Sequence, residues 1–125
     1  MAPLRAGSPT VWAGYAGRIT SGRQAGVNLL WTALDYKREL EADVGRALGM
    51  DGPFDPSAAV IATARRAGAT EGRTLRALLK DLNALAEAED RPEGPPRVGP
   101  EELEDVVRKG EGVLAALDAP SRERG

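Results

Sequence analysis

The stretch GRITSGR, Gly17 to Arg23, has the four-residue glycine separation of a phosphate-cradling loop, and helical text follows it. A working loop of that kind ends in Lys and then Ser or Thr, an amine for the outer phosphates and a hydroxyl for magnesium. Arg23 and Gln24 stand in those places, and no strand-like run precedes them. The stretch therefore reads as a glycine turn between two helices, in keeping with its Ser-Gly pair. Carboxylates gather at Glu39/Glu41/Asp43, Glu87/Glu89/Asp90 and Glu101/Glu102/Glu104/Asp105. A metal needs ligands that converge, whereas neighbours two apart on a helix point away from each other. Asp51 and Asp55 lack the spacing of a calcium loop. These groups read as solvated helix faces, and no metal or cofactor is expected.

The sequence contains no Cys and no His. That removes thiolate nucleophiles, disulfides and Cys-ligated metals, together with the commonest general base. An enzyme built on Tyr36, Lys37 and nearby carboxylates finds no positive support, so a non-catalytic protein is expected.

Two other groups of residues suit binding. ATARRAGATEGRTLRALLKDL, residues 62–82, resembles the helix-turn-helix of DNA-binding proteins, with Ala64 four residues before the turn glycine Gly68. Its second helix would present Arg73, Arg76 and Lys80 along one side, with Arg65 on the first, where they would meet phosphates. The apolar positions after the turn arrive one residue late, and no bidentate base reader stands out. Trp12 and Tyr15 are the second group, a candidate protein contact, because Trp is enriched in binding hot spots. Trp31 sits inside an apolar helical stripe and is expected in the core.

The elements that would position these residues are all helical, since apolar residues recur at three and four rather than alternating. A first helix is expected from Pro9 to Thr20, capped by Ser8, with Trp12, Tyr15 and Ile19 on one face and weakened by Gly14 and Gly17. A second runs unbroken from Arg23 to Leu48 and stops at Gly49. Leu29, Ala33, Tyr36, Leu40, Val44 and Ala47 form its main stripe. Val27, Leu30, Trp31 and Leu34 add a second stripe over the leading half only, so that half should be wrapped and the trailing half open on one side. Asp55-Pro56 opens a third helix that ends at Gly68, with Ala59, Val60, Thr63 and Ala67 inward. Thr70 is read as the cap of a fourth, whose face is Leu75, Leu78, Leu79, Leu82 and Leu85. After the Pro-rich loop DRPEGPPRVG, a fifth helix begins at Pro100 with Glu101 and Glu102 at its positive dipole end. Leu103, Val106, Val107, Val113, Leu114 and Leu117 supply its core face.

The expected fold is thus all-α: a single-domain bundle of about five helices around one long central helix, residues 1–120, with 121–125 a disordered tail. A length of 125 residues suits one modest core. No run approaches the roughly 18 apolar residues of a membrane helix. The opening MAPLRAGSPT has no apolar signal core, so a cytoplasmic location is expected. The formal charge of -2 argues against a dedicated nucleic-acid binder.

The text of Tyr36–Met50, Ser57–Leu85 and Pro100–Leu117 resembles the soluble helical tail of an uncharacterised family of bacterial and archaeal membrane proteins encoded beside MoxR-type AAA ATPases. The family's membrane helices are not in this sequence. The resemblance implies the cytosolic part of a membrane-associated system, and no catalytic residue or cofactor. The expected function is a helical protein-protein interaction module; the alternative is a DNA-binding regulator using residues 62–82.

Overall fold

The computed structural model describes Tyr15, residues 17–20 and residues 26–118. Trp12, the start of the first helix, residues 21–25 and the tail 121–125 lie outside them. The protein is an all-α bundle with no strand among the described residues. α1 is helical at Tyr15 and at 17–20, followed by α2 (Leu30–Ala47), α3 (Pro56–Ala67), α4 (Ala69–Ala88) and α5 (Pro100–Asp118). α4 packs on α2, α3 and α5, and α5 also packs on α2 and α3.

The second helix is shorter than its apolar pattern predicts. Gly26 has φ +68°, residues 27–29 are not helical, and α2 starts at Leu30. Asn28 sets that start. Its Oδ1 accepts from the Leu30 N–H at 3.1 Å and from the Val98 N–H at 2.8 Å, while its Nδ2 donates to the Pro96 carbonyl at 2.9 Å. The Leu29 N–H donates to the Val98 carbonyl at 3.0 Å. The chain at 26–29 is thereby spent on holding the 96–98 loop, and Val98 joins the core. Local periodicity cannot see bonds made across 70 residues.

Leu29, Leu30, Ala33 and Leu34 are buried as expected. Trp31 is not in the core: it is 51% exposed, and Val27 is 50% exposed. Val27 lies before the helix and does not share its stripe. Trp31 lays its ring against solvent while its indole N–H donates to Glu89 at 3.2 Å, an arrangement suited to a side chain with one polar edge. In the trailing half Tyr36, Leu40 and Val44 are inward and Arg38 and Arg46 outward as predicted. Asp43, read as part of a solvated face, is instead buried where it accepts from Arg46, and Lys37 and Glu41 are half-buried as an ion pair. The helix ends in a Schellman motif: Met50 N–H donates to Gly45 O, Gly49 N–H donates to Arg46 O, and Gly49 has φ +70°. Arg66 of α3 donates to the Ala47 carbonyl at 2.7 Å, placing a cation at the negative end of α2.

α3 begins where its sequence says, since Asp55 accepts from the backbone N–H of Ser57 and Ala58 ahead of Pro56. Ala59 and Thr63 are buried, with Val60 and Ala67 packed against the core. Gly68, φ +111°, both ends α3 and starts α4: its N–H donates to Ala64 O and its carbonyl accepts from Gly72 N–H. Thr70 therefore lies in the first turn of α4 instead of capping it, and its carbonyl accepts from the Thr74 hydroxyl. Leu75, Leu78, Leu79 and Leu82 are buried. α5 starts with Glu102 accepting from the Gly99 N–H at 2.9 Å, half of a capping box. Leu103, Val107, Val113, Leu114 and Leu117 are buried, and Val106 packs against them.

Candidate functional site

Helical spacing places Arg76, Leu79, Lys80 and Asn83 on one face of α4, and Pro56, Ser57, Val60 and Ile61 on one face of α3. The two faces line a common groove of about 400 Å³. Their pairing shows how the helices run. Pro56 shares the groove with Lys80 and Asn83, while at the other end a Cβ on Gly72 would stand 2.8 Å from that of Ala64. α3 thus lies back along α4, as in an αα-hairpin. A DNA-binding helix-turn-helix instead crosses its helices at roughly 90–120° through a turn of three or four residues. Here the junction is Gly68 alone.

The groove has an apolar floor and a cationic rim. Leu79 is buried, Val60 is half-buried, and Ile61 is 54% exposed, which leaves a large aliphatic side chain open to water. Arg76 and Lys80 are exposed on the rim, and Arg65 is exposed one turn beyond Ile61 on α3. Of the residues singled out from sequence, the structure brings Arg76 and Lys80 together with the groove. Arg73 is exposed one turn earlier on α4 and donates to Thr70 Oγ1 at 3.5 Å, outside the lining.

Charge is sorted by helix. Residues 56–80 hold five cations and one carboxylate, Glu71, in a chain whose formal charge is -2. Elsewhere, among the described residues, six cations are in ion pairs: Arg18 and Arg38 with Asp35, Lys37 with Glu41, Arg46 with Asp43, Arg108 with Glu104 and Lys109 with Asp105. Arg97 donates to the Gly26 carbonyl, and Arg91 is in no ion pair. Among the described residues Arg65, Arg76 and Lys80 form no ion pair. Seven of the carboxylates gathered in sequence are in such contacts: Glu39 accepts from Tyr15, Glu89 accepts from Trp31, Glu102 caps α5, and Glu41, Asp43, Glu104 and Asp105 are in those ion pairs. Among the described residues no group of three or more acidic side chains is placed to hold a metal ion.

Tyr15 is in the core rather than on a contact surface. It is 4% exposed, its hydroxyl donates to Glu39 at 3.2 Å, and its ring meets Tyr36 edge-on with centroids 5.2 Å apart. Arg18 sits over that ring, 5.1 Å from its centroid. Burial, and then the Glu39 carboxylate, push the Tyr15 hydroxyl above its ordinary range. Its proposed companion Trp12 lies outside the described residues.

Sequence reasoning missed Ile61 and Asn83 as groove residues. The available signal was Ile61 itself, a β-branched side chain standing off the Ala59/Thr63 stripe with nothing assigned to cover it. A second groove, about 500 Å³ between α2 and the 50–54 loop, also has arginines, Arg38 and Arg46, but both are matched by aspartates. No protein-family model, curated protein or solved structure matches the chain.

Proposed function

We propose that the chain is a non-catalytic helical interaction module, cytoplasmic, that docks a protein partner in the groove between α3 and α4. The observation that carries this is Ile61, half open to water beside Arg76 and Lys80, which are in no ion pair among the described residues. An aliphatic side chain left exposed in a groove gains by being covered, and unmatched cations beside it give the covering surface a sign. The likeness of Tyr36–Met50, Ser57–Leu85 and Pro100–Leu117 to the tail of MoxR-associated membrane proteins supports a place in the cytosolic part of a membrane-associated system. No helix among the described residues is long and apolar enough to cross a membrane.

Affinity capture from the source cell, comparing the wild-type chain with Ile61→Glu, tests this reading. A partner recovered by the first and lost by the second is the expected result; equal recovery refutes the groove as the docking site.

DNA binding is the second reading, favoured by the five cations of residues 56–80. It requires an affinity for duplex DNA that falls steeply with salt as counterions are released. Absence of binding at about 50 mM salt removes it.

A further inference from the structure

We infer that the occupant of the α3–α4 groove is an acidic amphipathic helix of a partner protein, apolar on one face and carrying carboxylates beside that face. This rests on the docking reading above and names the chemistry of its ligand. Two helices laid side by side offer a trough, and the common way to fill one is with a third helix whose apolar residues recur at three and four. Val60, Ile61 and Leu79 form the apolar floor such a face needs. Arg76 and Lys80 are four apart on α4, so they rise about 6 Å along one edge, the repeat of carboxylates four apart on a facing helix. No carboxylate lines the groove to compete with them.

Other occupants fit less of this. A nucleic-acid backbone would satisfy Arg76 and Lys80 but would gain nothing from the exposed Ile61 that shares their groove. A second copy of this chain would have to bring its own acidic helix face. The helical carboxylates of α2 and the outer face of α5 are already in ion pairs, Asp35 with Arg18 and Arg38, Glu41 with Lys37, Glu104 with Arg108 and Asp105 with Lys109. The exposed carboxylates of α4, Asp81 and Glu87, are six apart and do not share one helix edge, so a separate acidic helix matches the Arg76/Lys80 edge better than a second copy does.

The test is fluorescence anisotropy of the full chain with a labelled synthetic helix carrying Leu at core spacing and Glu on its flanks. Companion probes are the same peptide with Lys for Glu, polyglutamate, and a short DNA duplex. The expected result is saturable binding of the acidic helix, with Kd in the tens of micromolar (about 6 kcal/mol), weakened about tenfold or more by Ile61→Glu and by Arg76→Glu/Lys80→Glu. The Lys-substituted peptide should not bind. All three residues are exposed, so unchanged thermal unfolding of the variants shows that the fold is intact. Equal binding of polyglutamate or duplex DNA that ignores Ile61→Glu would leave only a charge patch and overturn the inference, as would no saturation by any peptide. Should the peptide fail while partner capture still depends on Ile61, this inference falls and the docking reading stands. Should capture ignore Ile61, the docking reading itself falls.

Discussion

Gly110 of α5 lies directly against the phenol of Tyr36 on α2, so close that a Cβ there would overlap the hydroxyl and stand 3.0 Å from Cζ. The hydroxyl donates into this junction, with Val107 O and Glu111 Oε2 each 3.3 Å away. The absence of a side chain at one position is what lets α2 and α5 meet around a buried tyrosine.

Replacing Gly110 should therefore cost stability even though alanine is the better helix former. Gly110→Ala is expected to lower unfolding free energy by about 1–3 kcal/mol through overpacking. Gly112→Ala, two residues on, meets nothing within 4 Å and should raise it by about 0.5–1 kcal/mol. Urea denaturation of the pair checks both signs. Two shifts in the same direction would contradict the close approach.

Asn28 should matter more than its half-exposed, non-helical position suggests. Asn28→Ala strips acceptors from the Leu30 and Val98 N–H groups and a donor from the Pro96 carbonyl. A loss of about 2–3 kcal/mol is expected, with Asn28→Asp intermediate because it keeps both acceptors. Denaturant titration measures it; a cost for the alanine variant below about 0.5 kcal/mol would mean the 96–98 loop is held by other means.

The start of α2 shows where the sequence is silent. Its apolar spacing continues smoothly back through Val27, but Gly26 turns the chain and Asn28 reaches across to Val98, a long-range choice with no local trace. Trp31 fails for the same reason: its stripe is correct, yet among the described residues no element covers that side of α2. Gly110, a glycine in the interior of α5, is a packing position whose meaning depends on Tyr36. By contrast α3 is legible from both ends, because Asp55, Pro56 and Gly68 act on backbone groups two to four residues away. The leucine face of α4 is legible too, being a pure period. The groove is half legible: Arg76 and Lys80 stand out as cations, while Ile61 acquires significance only once α3 is seen lying along α4.

Tyr15 gives the bundle an alkaline limit. Its hydroxyl titrates at higher pH when folded than when unfolded, mainly because it is buried and also because it faces Glu39. Such a group stabilises the fold fully below its unfolded pKa, about 10, and that contribution is lost as pH rises beyond it toward the folded value. The urea midpoint should accordingly fall above about pH 10, and Tyr15→Phe should flatten that fall. An identical alkaline profile in the variant would place the effect on other groups.

Site-specific photo-crosslinking in the source cell reads directly where a partner touches this protein. Benzoyl-phenylalanine would be placed at Ile61 in one chain and at Trp31 in another, the two exposed large apolar side chains on helices among the described residues. A discrete protein adduct from the Ile61 position, absent from the Trp31 position, is the predicted result. An adduct from Trp31 alone, with Ile61 silent, would contradict it.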